Sequence, residues 1–483
     1  MKSESPSRVW PIQVPILICA AWAVLFGCAA YRHAVFRSTA FDLGIFDQAL
    51  WQLSHGKGAR VSLMGMNIFS DHGAFILYPL SFIYRILASP YALLAVQSLA
   101  LALGAAPLLL LAKSSGLSRS QQLLVACVYM LHPAVFSANL FDFHPETIGV
   151  PLLPLILLLA ERRRYAWLAL VALAVMSCKE VLALTVSAMG LVICVRGQRK
   201  VGAALCLSAL AWFVVVTQAI MPGIPDGAAP NAFARYSYLG ESFGDKLSTL
   251  MFQPWEALRH LPITSVLLYL ASLAAPCFWV FSRSSLVFLV ACAPTLFLNS
   301  LSTLEFQRSL RFQHSLPLVP ILAVMAIESL RARGGLPWGW TVRRAVIFAV
   351  LALIVPLVAR NAVSFGAYPV HWSADGPVEP LQRAVSLVPP GVSVLASSRI
   401  VPHLAHRVEL AFIDGSRPID TSILHDYAVI DRIGSRDQAE NWQNLAVREV
   451  LLASGEYEAV LDRTEVTVLR RTKRPQASLR GPE

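Results

Sequence analysis

The stretch AWLALVALAVMSCKEVLALTVSAMGLVICV, residues 166–195, is apolar throughout except for Lys179-Glu180 at its centre. A membrane-spanning helix needs roughly 17–25 apolar residues, and this run is longer. Two charges at mid-bilayer would also be costly. Two short helices meeting at a surface remove both problems. The stretch therefore reads as a helical hairpin with its charged tip at one face of a membrane.

Further apolar runs lie near 11–31, 90–112, 121–140, 148–160, 201–220, 262–281, 286–302, 315–330 and 345–359. With the hairpin they predict about eleven transmembrane helices, the first a retained signal anchor. Of the 483 residues, 56% are hydrophobic and 14% charged. A soluble domain has about 25% charged residues, so both a soluble globule and a disordered chain are excluded. The charge is uneven, because residues 361–483 carry 28 of the 69 charged side chains in a nearly balanced mix. The fold class expected is an all-α polytopic membrane protein over 1–360 followed by a soluble α/β domain over 361–483.

In that tail, strands are expected at 392–396, 427–430, 457–461 and 465–469, with helices at 381–387 and 439–452. It has no glycine-rich nucleotide motif. His403 and His406 stand three apart beside Arg407 and read as structural in preference to metal-binding. Asp414, Asp420 and Asp431 form no recognised triad. The eight cysteines form no C-x-x-C pair and read as small core residues.

Charge sets the orientation. With the N-terminus inside, the inner segments hold 15 Lys/Arg in short loops, anchored by Arg162-Arg163-Arg164 and Arg343-Arg344. The much longer outer loops hold 11. The tail then lies outside, in a cytoplasmic-membrane protein. The basic excess follows from this topology and does not indicate a nucleic-acid partner. Eleven of the body's 14 carboxylates fall on the outer face, which is where chemistry is expected.

The first outer loop, 32–89, contains Phe41-Asp42-Leu43-Gly44-Ile45-Phe46-Asp47-Gln48-Ala49-Leu50-Trp51. Its spacing predicts an amphipathic helix on the outer membrane surface. Asp42 stands where an N-cap would, and Asp47 lies on the polar face with Trp51. Asp71-His72 follows, before a second surface helix. Asp142-Phe143-His144-Pro145-Glu146 sets two carboxylates and an imidazole in one tight turn. That turn could bind a divalent cation (Mg or Mn), or be a polar interhelical connection. Lys179 and Glu180 read either as functional charges or as a self-paired hairpin tip. Arg308 and Arg311, three apart before His314, would share a helical face. They suit phosphate recognition or interfacial snorkelling.

These motifs carry a resemblance. FDLGIFDQALW, DFHPE, SCKEVLAL, the His314 segment before LPLVPIL, and VPHLAHR, in this order over about residues 30 to 470, resemble a bacterial family of multi-pass membrane proteins catalogued as domain of unknown function 2079. Val181 stands where that family often has an acid after Lys-Glu. Gln313 and Ser315 flank His314 where aromatics are frequent. The family in turn resembles the GT-C glycosyltransferases, in the branch of protein mannosyltransferases and aminoarabinose transferases.

That resemblance implies a catalytic Asp just after the first span with an aromatic four residues on, matched by Asp42 and Phe46. The usual adjacent second carboxylate is replaced by Leu43, which leaves Asp47 as its counterpart. It implies a polyprenyl-phosphate sugar as donor, an extracytoplasmic glycan, lipid or protein as acceptor, and inversion with Asp42 as general base. The donor phosphate would be met by Arg308, Arg311 or Lys179, or by a metal at Asp142, His144 and Glu146, with Asp71, His72, Glu180 and His314 nearby. The competing expectation is a transporter or lipid flippase. That would call for internal repeats and polar groups at the midplane, and no repeat is found.

Overall fold

The computed structural model describes residues 12–225, 231–358, 376–413, 424–433 and 438–472. Asp414 and Asp420 lie outside the described residues. The chain forms two compact units. Unit 1 comprises Met1–Ala30, Asn67–Leu80 and Tyr91–Val370, and unit 2 comprises Tyr31–Met66, Ser81–Pro90 and His371–Glu483.

The expected apolar runs form helices. Among the described residues five are long and apolar enough to cross a membrane: Gln13–Ala34, Pro90–Ser114, Arg199–Ile220, Ile263–Val280 and Gln313–Arg333. Arg119–Met130 and Pro133–Leu140, bent by 44° at their junction, make a sixth if taken as one span. The expected total of about eleven is not reached at this length, for local reasons. The 166–195 hairpin forms the shorter helices Tyr165–Met176 and Leu182–Val195, and the run near 286–302 is also short. The run near 148–160 breaks into Glu146–Gly149, Val150–Leu152 and Leu153–Glu161, with Pro151 and Pro154 at the breaks.

Local chemistry explains several boundaries. Ser118 caps Arg119–Met130 in a reciprocal capping box with Gln121. Pro133 opens the next helix, and the His132 ring accepts from the Ala134 N–H. Gly190 and Gly202 let two helices touch backbone to backbone. A Cβ on Gly190 would lie 2.7 Å from the Gly202 carbonyl oxygen, and one on Gly202 would lie 2.6 Å from the Cys194 nitrogen.

Unit 2 is built on a five-stranded mixed sheet. Its strands are β1 (Val394–Ser397), β2 (Leu410–Ile413), β3 (Tyr427–Asp431), β4 (Tyr457–Asp462) and β5 (Val466–Arg471). The order is β2-β1-β3-β5-β4, parallel across β2-β1-β3 and antiparallel across β3-β5-β4. Four strands fall where the pattern placed them. β2 was not anticipated, because LAFI is too short for a clear alternation. Helices Val378–Ser386 and Gln438–Ala453 match the expected pair. Asp431 at the end of β3 is held by Arg399 through two hydrogen bonds of 2.5 and 2.8 Å.

Part of the long loop 32–89 belongs to this unit. Phe36 and Ala40 join a core cluster with Leu381, Val394, Ile400 and Val401. The helix Ile45–Ser54 buries eight of its ten residues. It is therefore an internal element of unit 2, not an amphipathic helix with one face open. Gln48 fastens it, donating to the Ser62 hydroxyl at 2.8 Å and the Arg407 carbonyl at 3.0 Å.

Candidate functional site

In unit 1 the loop 141–147 is held by one buried amide. Gln97, inside Pro90–Leu103, donates to the carbonyls of Asn139 (3.0 Å) and Asp142 (2.9 Å). Its oxygen accepts from the His144 N–H at 3.0 Å and the Thr147 hydroxyl at 3.2 Å. Four contacts from one side chain fix the turn, and Asp142 within it adopts φ +78°. Side chains other than glycine rarely take that conformation.

Glu146 then faces the hairpin tip, where it accepts from Lys179 Nζ at 2.8 Å. Burial pushes the Glu146 carboxyl up, but Lys179 and His144 outweigh it and hold it well below the usual range. Glu180, 4% exposed, turns the other way and accepts from the Gly73 N–H at 3.0 Å. The segment Asp71-His72-Gly73 is thereby brought to the same hairpin tip, with Asp71 and His72 in contact at 3.3 Å. His314 lies within electrostatic reach of Lys179, Glu146, Arg235 and His144. Phe141 stacks on His144 at 5.5 Å and meets Phe312 edge-on at 4.5 Å. Phe306 closes on His314 at 5.6 Å.

Arg308 and Arg311 do not share a helical face, because the short turn Glu305–Arg308 ends at Ser309 in extended backbone. Arg308 is committed to structure, with Nε donating to the Ser265 hydroxyl and Nη1 to the Ser302 carbonyl. Among the described residues no three His, Cys, Asp or Glu side chains converge to hold an ion. The Glu146 carboxylate is turned to Lys179 instead.

Asp42 and Asp47 belong to unit 2. Asp42 is not an N-cap. It sits in the turn Ala40–Gly44 with φ +66° and ψ −85°, close to the strained γ-turn region. Asp47 is not on a solvated face either, since its side chain is 1% exposed. Tyr84 donates a short hydrogen bond to its carboxylate. His406 Nε2 lies 3.3 Å from the same oxygen and 3.0 Å from the Tyr84 hydroxyl. Burial pushes the Asp47 carboxyl up against the pull of His406. The carboxylate in turn lifts the imidazole above its ordinary value, against burial of the ring. The two titrate as a pair.

Sequence reasoning did not select Tyr84, Gln97 or His406. Gln97 carried a signal as a lone amide in the middle of an apolar run. His406, three residues after His403, reads from the sequence as structural. Tyr84 carried none, because its partner is 37 residues away.

Residues 32–468 match the family described as predicted membrane protein (DUF2079). No curated protein sequence matches the chain. Among solved structures, it is similar to ArnT from Cupriavidus metallidurans bound to undecaprenyl phosphate. The TM-score is 0.55 at 14% identity, covering 98% of this chain and 99% of that one. The apo form of the same protein gives 0.55 at 12%, with the same coverage. At such identity the likeness establishes fold alone, and in fold it agrees with the expected resemblance. The chain is thus a membrane-embedded member of the DUF2079 family, with the fold of ArnT.

Proposed function

We propose that this chain is a membrane glycosyltransferase that moves a sugar, with inversion, from a polyprenyl-phosphate donor to an extracytoplasmic acceptor. The supporting observation is the likeness, over nearly the full length of both chains, to an ArnT structure that holds undecaprenyl phosphate. The protein would sit in the cytoplasmic membrane, N-terminus inside, with the region after residue 360 outside.

In the reaction a base takes the proton of an acceptor hydroxyl. The oxygen attacks the anomeric carbon opposite the phosphate, and the C–O bond breaks with its electron pair going to the phosphate. Of the two loop carboxylates, Asp47 is buried and Asp42 only half-buried, which favours Asp42 as the base. Its strained backbone supports this, since such strain concentrates at functional residues.

The experiment is consumption of a panel of radiolabelled polyprenyl-phosphate sugars by purified protein, with envelope extract as acceptor. Wild type should turn over at least one donor, and Asp42→Asn should lose about 10²-fold or more. Unchanged turnover in that variant would remove Asp42 as base. No turnover of any donor would remove the transferase reading.

A further inference from the structure

Four helices of unit 1, Ala105–Ser114, Leu153–Glu161, Leu182–Val195 and Leu318–Arg333, line one cavity with their C-terminal halves. Three of them end at it, since Ser115, Glu161 and Arg196 belong to its lining. Its walls are otherwise apolar, from side chains such as Leu157, Ile193, Phe288 and Val324.

The charged groups in the lining are Glu161, Arg196 and Glu328. One guanidinium serves both carboxylates. Arg196 donates through one Nη to Glu328 at 2.6 Å and through the other to Glu161 at 3.3 Å. Its guanidinium also lies 5.5 Å from the Phe288 ring centre. Arginine can hold a single carboxylate with two parallel bonds. Here the fork is divided, so each carboxylate keeps one oxygen without a hydrogen bond among the described residues. The Ser115 hydroxyl on the same cavity has none there either.

Two carboxylates against one guanidinium leave a negative charge in the lining. The three helix C-termini add partial charges of the same sign. A cation is therefore favoured inside. The surroundings are of opposite sign. Exposed Arg331 lies within electrostatic reach of Glu161. Arg162, Arg163 and Arg164 follow Glu161 directly and are exposed as well.

We propose that this cavity binds the ethanolamine head of a phospholipid, with the ammonium inside and the phosphate toward Arg331. The three N–H donors of the ammonium meet three acceptors, from Glu161, Glu328 and Ser115. The phosphate takes a charge-assisted hydrogen bond from the guanidinium outside. A membrane-embedded chain meets lipid heads where its apolar helices give way to arginines. Bound there, one lipid ties the four helices together. The inference is independent of the transferase reading.

The test is native mass spectrometry of the full chain in detergent. Equimolar phosphatidylethanolamine and phosphatidylcholine are offered, told apart by acyl chains that are then exchanged. The choline ammonium carries no N–H. The ethanolamine lipid should be retained about tenfold over the choline lipid, the worth of one hydrogen bond to a charged group. Glu161→Gln should bring that ratio near one. Ser115→Ala, which breaks no hydrogen bond in the protein, should lower it about threefold. Arg331→Gln, at an exposed position, should weaken both lipids alike, because both carry the phosphate. The proposal falls if wild type retains the two lipids equally, or if Glu161→Gln and Ser115→Ala both keep the wild-type ratio. It also falls if soluble phosphoethanolamine displaces the lipid at equal concentration, which would make this a metabolite site. Retention of phosphatidylglycerol above phosphatidylethanolamine would overturn it too, leaving an arginine surface for anionic lipid.

Discussion

Lys179 and Glu146 pair across 2.8 Å, joining two loops 33 residues apart with side chains 16% and 6% exposed. Glu146→Gln leaves the ammonium buried without its counter-charge, a change that costs about 3–5 kcal/mol. Replacing both by Glu146→Gln with Lys179→Met should recover most of that loss in thermal unfolding. The sign with pH follows from the depressed carboxyl. Its contribution is complete above the unfolded value, about 4.3, and is lost as pH falls through the lower folded value. An acid limb equally steep in wild type and the double variant would refute this.

The Asp47–His406 pair has the opposite dependence. A raised imidazole stabilises fully below its unfolded value, about 6.5, and the contribution disappears as pH rises through the folded value. Wild-type melting temperature should therefore decline on the alkaline side, and His406→Gln should lack that slope. The effect should be small, about 1 kcal/mol or less, because the ring is partly solvated. Parallel profiles for the two proteins would show that the pair carries no linked proton.

Asp42 in a left-handed turn is strained for its side chain. Asp42→Gly should relieve about 1 kcal/mol and raise the melting temperature while abolishing donor consumption. A stability gain with activity retained would separate the strain from catalysis.

Gly190→Ala would place a methyl 2.6 Å from the Cys206 nitrogen. Helices Leu182–Val195 and Arg199–Val215 would have to separate, costing about 1–3 kcal/mol. Gly197→Ala, with nothing within 4 Å of its added Cβ but φ +100°, should cost about 1 kcal/mol through backbone strain alone. Equal, negligible losses at both would argue against the backbone contact.

Hydropathy made the helices legible, because apolar length is a property of a contiguous run. The 166–195 hairpin and the tail strands were readable for the same reason. The fate of the Ile45–Ser54 helix was not. Leu43, Phe46 and Leu50 mark one apolar face, but the surface covering the polar one comes from Tyr84, Arg407 and His406. Local spacing cannot announce partners supplied 37 residues later, as Tyr84 is, or 359, as Arg407 and His406 are. Likewise Lys179 and Glu180 were read as a possible self-pair, whereas each takes a partner from another loop, Glu146 and Gly73.

The discontinuity of unit 2 has a consequence in time. Asp47 and His406 are 359 residues apart. At roughly 5–20 residues per second of synthesis, Asp47 waits on the order of 20 to 70 seconds for its imidazole. Through that interval Ile45, Phe46 and Leu50 lack the β-sheet that completes their unit. The segment Tyr31–Met66 is thus among the earliest parts of the chain made and among the last to fold. A ribosome stalled before β1 would present it as a substrate for chaperones or proteases, in a way that the finished protein does not.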